Sequence, residues 1–153
     1  METIADFEDL LFLFEQHNVR YLIVGGLAFI YHAKPRYTKD MDIWVDPDEE
    51  NIKLANRALA EFPSPNLLSY GQLNEILQIG IEPNRVDILQ QLGDADFTKA
   101  WQKKIRDRYG NVACNWASLD TLIAIKSAIN EPRHQNDAQV LREVLRLREK
   151  NIK

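Results

Sequence analysis

Asp40 and Asp42 stand one residue apart in the run DMDIWV, a spacing that puts two carboxylates on the same side of an extended strand. Like charges that close repel, and a carboxylate taken out of water without a partner is costly. A positive partner is therefore expected beside them. With a third carboxylate from a neighbouring strand, the pair would form the oxygen cage that magnesium prefers. In a two-metal arrangement, ions about 3.5–4 Å apart orient a triphosphate and stabilise the attacking and leaving oxygens of an in-line displacement. Upstream, Gly25 and Gly26 end an apolar run. A glycine pair between strand and helix lets backbone amides approach a ligand closely, and a helix N-terminus attracts phosphate. Each signal has a plainer reading when taken alone. The glycines could be a turn pair, the two acids the exposed face of an edge strand, and Asp87 a partner for Arg85.

The elements that must hold these residues follow from hydrophobic periodicity. Phe7, Leu10, Leu11 and Phe14 predict an amphipathic helix over residues 4–17, with Thr3 and Asp6 as a starting cap and Asn18 as a stop. RYLIVGG reads as a strand ending at Gly25, and LAFIYHA as a short helix stopped before Pro35. In DMDIWV, Met41, Ile43 and Val45 face one way while Asp40, Asp42, Trp44 and Asp46 face the other. Ile52, Ala55, Leu59 and Phe62 mark a second amphipathic helix, and the chain to Leu73 reads as loop. NEILQIGIEPNRVDILQ gives two β-rich runs, with Asp87 pointing opposite to Val86 and Ile88. Phe97, Trp101 and Ile105 predict another helix, with Lys99, Lys103, Lys104, Arg106 and Arg108 as its basic surface. NVACNW reads as a short strand. Ser118 is placed to cap a helix carrying Leu119, Leu122, Ile123 and Ile129, and beyond Pro132 a charged last helix carries Val140, Leu141, Val144 and Leu147.

Composition bounds the classes that remain. A chain of 153 residues, 45% hydrophobic and 27% charged, supports one ordinary core. METIADFEDLLFLF carries acids where a secretory signal carries bases, and no apolar run approaches the roughly 20 residues that span a bilayer. The lone Cys114 forms no internal disulfide and, with three scattered histidines, builds no zinc site. The expectation is a cytoplasmic protein with no membrane partner. A net charge of −4 gives no general attraction to polyanions. Tyr31 and Trp44 are candidates for stacking on a base, with packing as the plainer use of each.

Taken in order, Val24-Gly25-Gly26, the following stretch to Lys39, and Asp40-Met41-Asp42-Ile43 resemble the nucleotidyltransferase superfamily related to DNA polymerase β. PRYTKDMDI is similar to its bacterial branch of AbiEii-type toxins and minimal nucleotidyltransferases, in which a VDIL-like strand supplies a third acid; Asp87 in RVDIL matches it. LDTLIAIKSAINEPRHQND is similar to the relatives' lysine-bearing helix and the segment after it, with Lys126 and Arg133 in place. Where the relatives have a Lys-Asp pair, however, this chain has Asn136 before Asp137. The resemblance implies an α+β fold with a short mixed sheet flanked by helices. It implies a nucleotidyltransferase core over residues 1–115, and a helical segment over 116–153 packed on it as one compact domain. It also implies that Asp40, Asp42 and Asp87 are catalytic and bind Mg2+, or Mn2+ in its place. Gly25 and Gly26 would hold the triphosphate, with Arg36, Thr38 and Lys126 as phosphate partners. The reaction implied is transfer of a nucleoside monophosphate from a nucleoside triphosphate to an acceptor that is a small molecule, a protein or a tRNA end. Two other uses remain open: a catalytically inactive binding protein, such as one half of a toxin-antitoxin pair, and a nucleotide sensor.

Overall fold

The computed structural model describes residues 3–36, 40–81 and 84–151. In chain order the elements are α1 (Ala5–Gln16), β1 (Tyr21–Val24), α2 (Gly25–His32), β2 (Asp40–Val45), α3 (Glu49–Glu61), β3 (Ile76–Ile79), β4 (Arg85–Leu89), α4 (Phe97–Gln102), β5 (Ile105–Tyr109), β6 (Val112–Trp116), α5 (Leu119–Ser127) and α6 (Pro132–Asn151). The strands form one mixed sheet in the order β3-β4-β2-β1-β6-β5. β2 runs parallel to β4 and β1 parallel to β6, while the other neighbours are antiparallel.

Strand alternation sorts the two faces of this sheet. Tyr21, Ile23, Met41, Ile43, Val45, Val86 and Ile88 share one face through their register, and all are buried. Phe14 of α1 packs its ring 5.5 Å from that of Tyr21 on this side. The opposite face carries Asp40, Asp42 and Trp44 on β2 beside Arg85, Asp87 and Leu89 on β4. The helices end where their residues dictate. Asn18 takes a positive φ of 56° just past α1, a conformation asparagine tolerates better than most residues. Ser118 Oγ accepts from the Thr121 amide to cap α5. Pro132 is the first residue of α6, where its missing N–H leaves no bond unmade.

Three local expectations differ from the structure. Ile4, not Thr3, precedes the first turn of α1 and makes no side-chain cap; the Thr3 hydroxyl bonds Glu8 instead. The helix expected from Phe97 through Ile105 stops at Gln102, and Ile105 begins β5. There the helical spacing is a coincidence. Gly110, at φ 61°, turns the chain tightly so that Tyr109 pairs with Val112, and hairpin pairing overrides local periodicity. The basic residues are consequently divided, with Lys99 on α4 and Arg106 and Arg108 on β5, and form no single helical surface.

Candidate active site

Parallel pairing of β2 with β4 sets Asp42 opposite Asp87 and Asp40 opposite Arg85. Directly paired residues point to the same face, so the three aspartates converge: each offers a carboxylate oxygen within 4.8 Å of the other two. Antiparallel pairing of β1 places Val24 opposite Asp42, which brings the start of α2 to the same spot. Gly25 opens that helix with φ 66°, and a Cβ there would overlap Asp42 Oδ2. Both the backbone angle and the close approach require glycine. Gly26 follows it, half-buried, in the first turn of α2.

Among the described residues, a positive partner of the acids is the side chain of Arg85. Arg85 donates from Nε to Asp87 Oδ1 at 2.8 Å, and from Nη2 to Asp40 Oδ2 at 2.9 Å and Asp87 Oδ2 at 3.1 Å. Burial, reinforced by the charges of Asp40 and Asp87, pushes the Asp42 carboxyl up to about 7 against the pull of Arg85 and Lys126. Burial also raises Asp87, with Arg85 opposing. The cluster offers hard carboxylate oxygens and no nitrogen or sulfur ligand, a donor set that suits Mg2+ or Mn2+. The negative charge of this cluster, partly offset by a proton on Asp42, is what a divalent cation would neutralise. The residues present fit the metal.

A second charged group stands beside the first. Lys126 Nζ of α5 donates to Asp137 Oδ2 at 2.7 Å, and Arg36 Nη1, beyond α2, donates to Asp137 Oδ1 at 2.8 Å. Phe29 lies beneath both cations, with its ring centre 4.1 Å from Arg36 Cζ and 5.9 Å from Lys126 Nζ. Burial works against the Asp137 charge, yet the bonds from Arg36 and Lys126 outweigh it and hold the carboxyl below its usual range. Lys126 and Asp42 line one cleft together with Gly25. Lys126 thus stands near Asp42, and it shares with Arg36 an anion supplied by α6. Thr38 lies outside the described residues.

The other candidates settle as packing. Trp44 is 1% exposed and meets Phe97 edge to face at 5.1 Å, so it offers no surface to a base. Tyr31 stacks on Trp116 at 4.5 Å and donates its hydroxyl to Asp107. His32 is buried with Nε2 2.8 Å from the Ala117 carbonyl oxygen, and burial lowers its pKa. Cys114 is a buried core residue whose thiol burial pushes up to about 12. A larger groove of about 550 Å³ between Asp6, Phe12 and Glu61 includes none of the site residues. Sequence reasoning named Arg85 as a plainer partner for Asp87, and Asp137 as the acid that follows Asn136, without giving either a place in the site. Arg85 stands two before Asp87 and therefore shares its face, and the pairing expected between them forms. The place of Asp137 depends on how α6 packs against α5 and α2, for which the sequence carries no local signal.

No protein-family model matches the sequence, and no curated protein sequence matches it. Solved structures do match. A candidate nucleotidyltransferase of Thermotoga maritima, TM1012, superposes with a TM-score of 0.59 at 19% identity, over 92% of this chain and 90% of that one. The lincosamide antibiotic adenylyltransferase LnuA, with lincomycin bound, gives 0.60 at 15% identity, over 94% of this chain and 99% of that one. ANT(2″)-Ia in complex with adenylyl-2″-tobramycin gives 0.59 at 13% identity, over 95% and 91%. At these identities the likeness is one of fold. The chain has the α+β nucleotidyltransferase fold, a mixed six-stranded sheet flanked by helices. No helix among the described residues is long and apolar enough to cross a membrane.

Proposed function

We propose that this protein is a metal-dependent nucleotidyltransferase that moves a nucleoside monophosphate from a nucleoside triphosphate to a hydroxyl of a small-molecule acceptor. The observation that carries the reading is the convergence of Asp40, Asp42 and Asp87 within 4.8 Å, beside Gly25 at the start of α2. In this reading the bare backbone of Gly25 and Gly26 receives the triphosphate at the positive end of α2. Lys126 and Arg36 supply positive charge to its outer oxygens. Asp40, Asp42 and Asp87 would hold Mg2+, which when bound supplies charge neutralisation and orientation for an in-line displacement. Asp87 takes the proton of the acceptor hydroxyl; the acceptor oxygen bonds to the α-phosphorus as the bond to the β-phosphate oxygen breaks, and pyrophosphate leaves. The small-molecule acceptor is favoured by LnuA, whose structure holds lincomycin on a chain matched over 99% of its length.

The test is incubation with each of four nucleoside triphosphates labelled at the α-phosphate, with Mg2+ and a panel of hydroxyl-bearing antibiotics and sugars. Label appearing on an acceptor, and lost in Asp42→Asn, is the expected result. A second reading is favoured by one observation: Arg85 already bonds Asp40 and Asp87, as it would in a binding protein or nucleotide sensor that uses the acids structurally. It predicts no label transfer with any acceptor, and Arg85→Ala destabilising the protein whether or not Mg2+ is present.

A further inference from the structure

The two edges of the sheet are built differently. β5, at one edge, is IRDRY, with Arg106, Asp107 and Arg108 exposed along it. Charged side chains on an outer strand are one way sheets keep other chains from pairing with it. β3, at the opposite edge, is ILQI, with neither charge nor proline. Among the described residues, no backbone hydrogen bond outside the ladder with β4 reaches Ile76–Ile79, so one row of amides and carbonyls stands unpaired. Apolar surface gathers on the same edge. Of the seven large apolar side chains exposed among the described residues, five lie within residues 67–81: Leu67, Tyr70, Leu73, Ile76 and Ile81. Gln90, just past β4, donates from Nε2 to the Ser69 carbonyl oxygen and so ties the segment before β3 to the strand beside it. Apolar surface gathered in one place marks an interaction site, whereas single scattered residues do not.

We propose that this edge is the interface with a second copy of the chain: β3 of each copy pairs antiparallel with β3 of the other about a two-fold axis through the sheet, and the apolar side chains beside it cover the seam. Charge selects this occupant. A patch that pairs with itself meets its own charges, and like charges set opposite each other destabilise a strand pair. Residues 67–81 carry a single charge, Glu75, in a chain that is 27% charged. Antiparallel pairing keeps the two Glu75 side chains, each at the entrance to β3, at opposite ends of the seam. A strongly basic or acidic partner would find almost nothing here to pair with. Three isoleucines within the six uncharged residues ILQIGI favour a like strand as neighbour. Gln78 lies opposite Asp87 on β4, so the second copy would stand with only β3 between it and the strand that carries Asp87. The pairing does not depend on the nucleotidyl-transfer reading.

The test is sedimentation velocity over a wide range of protein concentration. Wild type is expected to show a species of twice the 17.8 kDa of one chain, growing as concentration rises. Ile76→Lys and Ile81→Lys set a charge on the seam at positions 51% and 83% exposed, outside the core. Each should sediment as a single chain, with circular dichroism confirming that it is folded. Leu147→Lys puts the same charge on an exposed leucine of α6 and should dimerise as wild type does. In wild type, hydrogen exchange should slow at the outward-facing amides of residues 76–81 as the dimer forms, which reads the strand pairing directly and decides the matter if a variant misfolds. A wild type that keeps the mass of one chain at every concentration would overturn the proposal and leave the edge to a strand of another protein. A dimer that survives both lysine variants, that Leu147→Lys breaks instead, or whose outward amides exchange as fast as in the single chain would overturn it equally.

Discussion

Asp42 is the carboxylate with most to gain from a cation, and its acidity makes that measurable. Its carboxyl ordinarily titrates at 3.8 and here is pushed up to about 7. Between those values the folded protein keeps a proton that the unfolded chain has released, so the folded state binds more protons and stability falls as pH rises. Above about 7 the penalty is constant. Asp42→Asn is expected to remove this slope and to be more stable than wild type at pH 8 by roughly 1–4 kcal/mol, since each tenfold change in acidity on folding corresponds to about 1.4 kcal/mol. Urea unfolding of both proteins at pH 4.5 and pH 8 checks it. Mg2+ binding should run the other way. The metal needs the carboxylate, so its affinity should drop by up to about tenfold for each step of one in pH below 7, with a proton released on binding that calorimetry in two buffers detects. Asp137 has the opposite sign. Its lowered carboxyl stabilises the fold above the ordinary carboxylate range and loses that effect as pH falls. Asp137→Asn strands Lys126, which is 6% exposed, without its counterion, and a loss of roughly 3–5 kcal/mol is expected on denaturation. Lys126→Met leaves Asp137 its bond from Arg36 and should cost less.

At the scale of elements, the site depends on one junction, the passage from β1 into α2. Gly25→Ala imposes a side chain on a left-handed backbone, at about 1–2 kcal/mol, and pushes against Asp42 as well. Gly71 shares a positive φ, 85°, but a Cβ there meets nothing within 4 Å, so Gly71→Ala measures the backbone effect alone. The expected result is that both variants lose stability, Gly25→Ala more, and that only Gly25→Ala loses Mg2+ and tripolyphosphate binding in calorimetric titration. The β5–β6 hairpin makes a related point. Ile105 continues the spacing of Phe97 and Trp101, yet it pairs with Trp116 across the sheet, because a strand's partners outweigh a short run's preference.

Across the whole molecule, α5 and α6 bring Lys126, Asp137 and His134 to the part of the sheet that carries the acids, so ligand binding there should be linked to global stability. A nucleoside triphosphate with Mg2+ at 100 times its dissociation constant should add about 2.7 kcal/mol. For a chain of this size that is a rise of roughly 5–10 °C in melting temperature, with either component alone doing much less and Asp42→Asn losing most of the gain. A thermal melt with each nucleotide measures it. What the amino-acid sequence determined by itself was local. Alternation in DMDIWV and RVDIL put Asp40, Asp42 and Asp87 each on a strand face opposite its apolar neighbours, and the glycine pair marked a junction, because strand period and turn chemistry act over a few residues. Strand order and register were decided only in three dimensions. Parallel pairing of β2 with β4 set Asp42 against Asp87 and brought Arg85 onto Asp40 from 45 residues away. Likewise Asp137 gathers Lys126 from 11 residues away and Arg36 from 101. Charges in a sequence have no direction until packing selects their partners, and here that selection belongs to the contacts of α6 with α5 and α2.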